Sequence, residues 1–212
     1  MTKYYALAAS VAVLALLSGT YVITQTAATD DALAACRAGQ AGGAIGGPFE
    51  LVDDTGATVT DEDIITGPTL IYFGYTFCPD VCPLDVQRNA QAVEILEQRD
   101  GIEVTPVFIS IDPERDTVEV VRDFADNFHD RMIGLTGTPE QVKAASQAYR
   151  TYYAKQESDD EFYLVDHSVF SYLVFPEIGF QEFYGRDIPP EELAESVACF
   201  VEAAEQLSEE RV

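Results

Sequence analysis

Two cysteines, Cys78 and Cys82, lie in the stretch FGYTFCPDVCP that runs from Phe73 to Pro83. Their spacing is Cys-x-x-x-Cys. On a helical segment positions i and i+4 share a face, with α-carbons about 6 Å apart, inside the range a disulfide tolerates. The same spacing lets two thiolates hold one metal ion. A place near a helix N-terminus lowers a thiol pKa and favours thiolate. A purely structural disulfide, or two buried thiols, is the weaker reading, because the pair sits on a proline-flanked loop and not in an apolar run.

The chain has two histidines. His167 lies in YLVDHSVFSYLVF, between two apolar runs, where a short loop falls near the same sheet edge as the cysteines. Alone it would read as a hydrogen-bonded loop residue. Joined to Cys78 and Cys82 it completes a set of two sulfurs and one imidazole. Structural zinc sites take four ligands, and no fourth is evident. Three soft-to-borderline ligands suit copper, with the thiolates favouring Cu(I) over Cu(II). Asp80 and Asp166 are candidates for a further oxygen ligand or for hydrogen-bonded support of the first three. His129 sits at a helix end, where it favours the helix dipole, and receives no site role.

The elements that must position these groups follow from pattern. Phe49 to Val52 and Thr58–Val59 flank an Asp-Asp-Thr-Gly turn and read as a hairpin. Thr69 to Phe73 is a continuous apolar strand of the kind buried on both faces. Gly74 to Pro83 is then a loop, and Leu84 to Gln98 a helix with Pro83 in its first turn. Val104 to Ile111 is a second buried strand. A capping-box pattern at Asp116–Glu119 opens a helix to about Phe128. Met132 to Leu135 is a short strand. Thr138, with Pro139 and Gln141 behind it, caps a helix expected to reach about Tyr153. Strands follow at 162–165, 169–175 and 180–184, the last two as a hairpin, and Glu191 to Leu207 closes as an amphipathic helix. This order describes an α/β, thioredoxin-like fold: a mixed central sheet flanked by helices, with its site at the carboxyl ends of parallel strands.

The remaining cysteines are a different pair. Cys199 points away from the apolar stripe of its helix, and Cys36 lies in a linker. Leftover thiols in an oxidising compartment commonly join, so a Cys36–Cys199 disulfide is expected.

Charge divides the chain. Lys and Arg number 12 against 37 Asp and Glu, a net charge of −25. That balance disfavours nucleic-acid binding, which needs clustered cations, and docking on anionic lipid. Residues 1–29 carry no acid and a single cation, Lys3. Tyr4 to Ile23 is uncharged and long enough for a membrane-spanning helix of about 20 residues. The expected organisation is a membrane anchor over 1–29, a linker over 30–47 rich in Ala and Gly, and a folded domain over 48–212. Lys3 places the N-terminus in the cytoplasm and the acidic domain outside. Signal cleavage near Ala27–Thr29 and lipidation of Cys36 are the competing readings of this region.

FGYTFCPDVCP, ISIDPERDT and YLVDHS, in this order, resemble the Sco (SenC-type) copper chaperones of cytochrome c oxidase. The resemblance spans roughly Gly47 to the C-terminus, plus the anchor. It implies a thioredoxin-like domain tethered to the bacterial inner membrane, single-pass, facing the periplasm. It implies one copper ion per chain, held by Cys78, Cys82 and His167. The implied partner is cytochrome c oxidase subunit II, whose binuclear copper centre the family helps assemble; periplasmic copper carriers and thiol reductases are further partners of this kind. One departure is the hairpin Phe175-Pro176-Glu177-Ile178-Gly179, where the family more often has an Asp and Gly turn.

Two functions from different classes remain open on the residues. A metallochaperone needs His167. A thiol–disulfide oxidoreductase would use Cys78 to attack and Cys82 to resolve, and leaves His167 dispensable. Its spacing would be one residue longer than Cys-x-x-Cys. A peroxidase of the same fold would need an activating Arg and Thr beside one Cys, and that is the weakest reading.

Overall fold

A computed structural model describes residues 33–37, 45–157 and 163–209. The expected anchor at 4–23 and the possible cleavage site at 27–29 lie outside them. Among the described residues no helix is long and apolar enough to cross a membrane.

The chain opens with a hairpin of β1 (Glu50–Asp53) and β2 (Thr58–Thr60). Asp53 closes its turn by accepting from the Thr55 and Ala57 amides, and Gly56 supplies the left-handed backbone the turn requires (φ 89°). A single helical turn, α1 (Asp61–Ile64), leads to β3 (Thr69–Gly74), every residue of which is buried. Then come α2 (Val81–Ile95), widening into a π-helical turn at Leu96–Asp100, and β4 (Thr105–Ser110). Helix α3 (Val118–Asp126), β5 (Ile133–Thr136) and α4 (Pro139–Ala148) follow. The chain continues through β6 (Tyr153–Lys155), β7 (Val165–His167), β8 (Ser171–Phe175), β9 (Gly179–Tyr184) and α5 (Pro190–Glu209).

Seven strands form one mixed sheet in the order β2-β1-β5-β4-β3-β8-β9. β3, β4 and β5 are parallel, and the remaining pairs are antiparallel. β6 and β7 make a separate two-stranded ladder that pairs Tyr153 with His167. Alternation along β3 divides the core. Leu70 packs with Leu173, Leu193, Val197 and Phe200, under α2 and α5. Ile71 and Phe73 pack with Val121, Val142 and Tyr149, under α3 and α4.

Four local expectations are corrected. The second helix begins at Val81, three residues before Leu84, so Cys82 and Pro83 both lie in its first turn; a proline there costs no hydrogen bond. The third helix is capped by Thr117, whose hydroxyl accepts from Val120 N, because the Asp116 carboxylate is spent on Thr76 and Ser110. The fourth helix stops at Ala148. Arg150 adopts φ 52° and Thr151 N turns back to Ser146 O, so Tyr153 joins a strand. The strand expected over 162–165 runs instead over Val165–His167, because β6 pairs there, and residue 162 lies outside the described set. The hairpin after Phe175 closes without an Asp-Gly turn, since Gly179 (φ 65°) supplies the left-handed position opposite Phe175.

Candidate metal centre

The parallel strand β3 ends at Gly74, and the chain turns through Tyr75–Asp80 into α2. A backbone bond from Cys78 N to Tyr75 O closes that turn. Asp80 stands at the N-cap of α2 but its side chain makes no cap bond. The Cys78 sulfur takes that role instead, accepting from Cys82 N at 3.3 Å. Both thiols are free and buried, Cys82 completely. β7 delivers His167 from the other side. Its Nε2 lies 3.3 Å from the Cys82 sulfur. Its Nδ1 lies 2.8 Å from Ser168 O. A carbonyl only accepts, so Nδ1 carries the proton and the Nε2 lone pair faces the cysteines. The two sulfurs and Nε2 lie within 4.8 Å of one another. Three soft-to-borderline donors at that spacing fit a single copper ion.

The charge state of the pair follows from its surroundings. The Cys82 thiol donates to Cys78, and the amides of Cys82 and Asp80 donate to the same sulfur, against the cost of burial. Cys78 is thereby drawn down to about 3. Cys82 is pushed up, first by its bond to Cys78 and then by burial. The metal-free pair therefore holds one proton, on Cys82, and presents one thiolate, on Cys78.

Side chains that the sequence did not single out frame the site. Tyr75 and Tyr72 set ring edges against His167, with centroids 5.8 and 6.3 Å away. Tyr75 Oη also accepts from Val165 N, tying the cysteine loop to β7. Tyr72 Oη donates to Asp85, a carboxyl pushed up by burial. Gly74 lies under the Cys82 sulfur: a β-carbon there would stand 2.8 Å from Tyr72 Cε1 and 3.1 Å from that sulfur. The signal that would have found these residues is position, at the carboxyl end of β3 and in the first turns of α2.

The structure separates the two aspartates from the three donors. Asp80 is exposed. Asp166 is exposed and accepts from Gln156 Nε2 at 2.7 Å; as the neighbour of His167 in a strand it points to the opposite face. Neither joins the group of three donors. His129 lies elsewhere, beside Glu97, with Nδ1 accepting from Arg131 N. Cys36 and Cys199 form a disulfide with α-carbons 5.7 Å apart, packed beside the α2–α5 apolar cluster. The Cys36 sulfur is thus committed to that bond.

The SCO1/SenC family model matches residues 37–202. Protein SenC of Rhodobacter capsulatus is 52% identical over 204 residues, covering 95% of this chain and 92% of that one. The mitochondrial SCO1 homolog 1 of Arabidopsis thaliana is 46% identical over 154 residues, 73% of this chain and 46% of that protein. Among solved structures, Arabidopsis thaliana ScoI with copper bound superposes with a TM-score of 0.71 at 45% identity, covering 77% of this chain and 99% of the other.

Proposed function

Because the chain belongs to the SCO1/SenC family, we propose that it is a metallochaperone that carries one copper ion to the binuclear copper centre of cytochrome c oxidase subunit II. The observation that carries this reading is the convergence of the Cys78 and Cys82 sulfurs and His167 Nε2 within 4.8 Å. The copper-bound ScoI structures of Arabidopsis thaliana and Bradyrhizobium japonicum, 45% and 36% identical to this chain, support it.

The residues divide the work. Cys78 enters as thiolate, Cys82 would release its proton to solvent as copper binds, and His167 is held by Ser168 O in the tautomer that binds through Nε2. Three protein donors leave a coordination position open, where an acceptor's cysteine or histidine can enter and the ion pass by ligand exchange. Asp80 and Asp166 stay outside that shell. Residues 4–23 serve as a single-pass anchor in the bacterial inner membrane, with the domain in the periplasm.

The test is anaerobic copper titration of the reduced full chain in detergent, wild type against His167→Ala. One tightly bound equivalent, clearly weakened in the variant, supports the chaperone. No stoichiometric binding, or binding indifferent to His167, sinks it.

A second reading is favoured by one feature, the Cys78 sulfur at the start of α2, which accepts from the Cys82 thiol and, at 3.3 Å, from Cys82 N, and whose pKa is thereby drawn down. In it Cys78 attacks an acceptor disulfide and expels one acceptor thiolate. Cys82 then attacks the mixed disulfide, so the acceptor gains two electrons and Cys78–Cys82 becomes the disulfide. Reduction of the acceptor's cysteines by His167→Ala at the wild-type rate would mark this as an activity separate from copper carriage.

A further inference from the structure

The loop Asp112–Thr117 follows β4 and lies beside both halves of the site. Its backbone folds on itself, with Arg115 N and Asp116 N both donating to Asp112 O. From that turn two side chains reach in different directions. Asp116, fully buried, accepts from Thr76 N at 3.0 Å, Thr76 Oγ1 at 2.6 Å and Ser110 Oγ at 2.6 Å. It thus fixes the backbone two residues before Cys78.

Arg115 does something a cap or a strand end does not need. Its guanidinium lies 3.6 Å from the centroid of the Tyr163 ring, 4.9 Å from that of Phe77 and 5.7 Å from that of Tyr75. Phe77 and Tyr75 belong to the cysteine loop, and Tyr163 stands two residues before β7. Nη1 donates to Tyr163 O at 3.0 Å, and Nε donates to Asp112. Asp112 in turn accepts from Tyr163 Oη at 2.7 Å. Nη2 is buried without a hydrogen-bond partner. A guanidinium accepts that desolvation cost only where stacking on aromatic faces offsets it. The cation is therefore placed by the rings it joins.

We infer that Arg115 is a positioning residue: it bolts the Cys78–Cys82 loop to the strand that carries His167, so that the donors stand together before copper arrives. Cys78 and Cys82 come from one end of the chain's core and His167 from a small ladder apart from the main sheet. Among the described residues the ties around loop and ladder include Tyr75 Oη to Val165 N at 3.3 Å, the Tyr75–His167 ring contact, the Cys82–His167 contact itself, the Lys155–Glu114 pair and the Arg115 clamp. Losing the clamp leaves the cysteines on their helix and lets the ladder drift.

The experiment uses the reduced full chain in detergent with Arg115→Ala, and Arg115→Lys in case alanine does not fold. Lysine keeps the charge but loses the planar fork. Each is measured alone and with His167→Ala, by competition for Cu(I) against a chromogenic chelator. Arg115→Ala is expected to lower copper affinity about 10- to 100-fold, the range for groups that orient a ligand, and to cost nothing further once His167 is gone. Without copper, hydrogen exchange over residues 163–168 should speed up while the alkylation rate of Cys78 stays at the wild-type value. An equal loss of affinity in both backgrounds, or unchanged exchange over 163–168, overturns the inference. It rests on the copper-binding reading. That reading fails separately, if wild-type binding ignores His167, whereas the exchange measurement judges Arg115 with no metal present.

Discussion

Cys78 and Cys82 share one proton, and the sharing is directional. A depressed pKa keeps the thiolate as pH falls, so Cys78 in the reduced, metal-free protein should alkylate with iodoacetamide at nearly the same rate from pH 5 to 8. An ordinary cysteine, with a pKa of about 8.5, would slow tenfold per unit over that range. An ordinary slope, read by mass spectrometry of the Cys78 peptide, would remove the thiolate assignment. Gly74 gives a second prediction at this scale. Gly74→Ala drives a methyl against Tyr72 and the Cys82 sulfur, so it should destabilise the fold by about 1–3 kcal/mol and weaken copper binding with it; thermal unfolding and the chelator competition check both. The donors were legible in the sequence because thiol and imidazole chemistry is rare and their spacing is informative. Asp80 and Asp166 were not, since proximity in sequence says nothing of facing. Once 165–167 is a strand, its period of two turns Asp166 away from the side His167 occupies.

At the level of elements, local chemistry was legible wherever it was self-contained. The box in which Thr138 and Gln141 exchange backbone and side-chain bonds needs nothing outside α4. Thr138→Ala should accordingly cost about 1 kcal/mol, seen as a lower thermal midpoint, with copper affinity unchanged; an unaltered midpoint would show the cap to be idle. The errors arose where tertiary partners override local pattern. Asp116 has the type and spacing of a cap, but Thr76 and Ser110 claim its oxygens. The apolar, aromatic run to Tyr153 continues a helical period, but β7 takes Tyr153–Lys155 as a strand partner. β3, β4 and α5 were read within a few residues because burial on both faces, or on one stripe, leaves a strong period.

For the molecule as a whole, the long-range tie is the Cys36–Cys199 disulfide, closing a sequence separation of 163 residues. Cross-linking so large a loop restricts the unfolded chain, so Cys199→Ser should lower stability by about 2–5 kcal/mol without touching copper stoichiometry. Denaturant titration of the two proteins checks the first part and metal analysis the second. The net charge of −25 belongs to this scale too. Association with a basic partner face should slow as salt rises from low to physiological, because steering is screened over a Debye length of about 8–10 Å; a salt-independent on-rate would rule that steering out.

The disulfide also sets a leash. Leu33 is buried against the α2–α5 layer, and Cys36 is fastened there. Taken with the anchor proposed for 4–23, the lead to the domain would be about ten residues, not the stretch to Phe49. Fully drawn out, about ten residues reach at most ~35 Å. On that reading the domain's point of attachment would stay within that reach of the bilayer. There an acceptor anchored in the same membrane is met at the high local concentration that tethering confers, and a short lead narrows the angles from which they can meet.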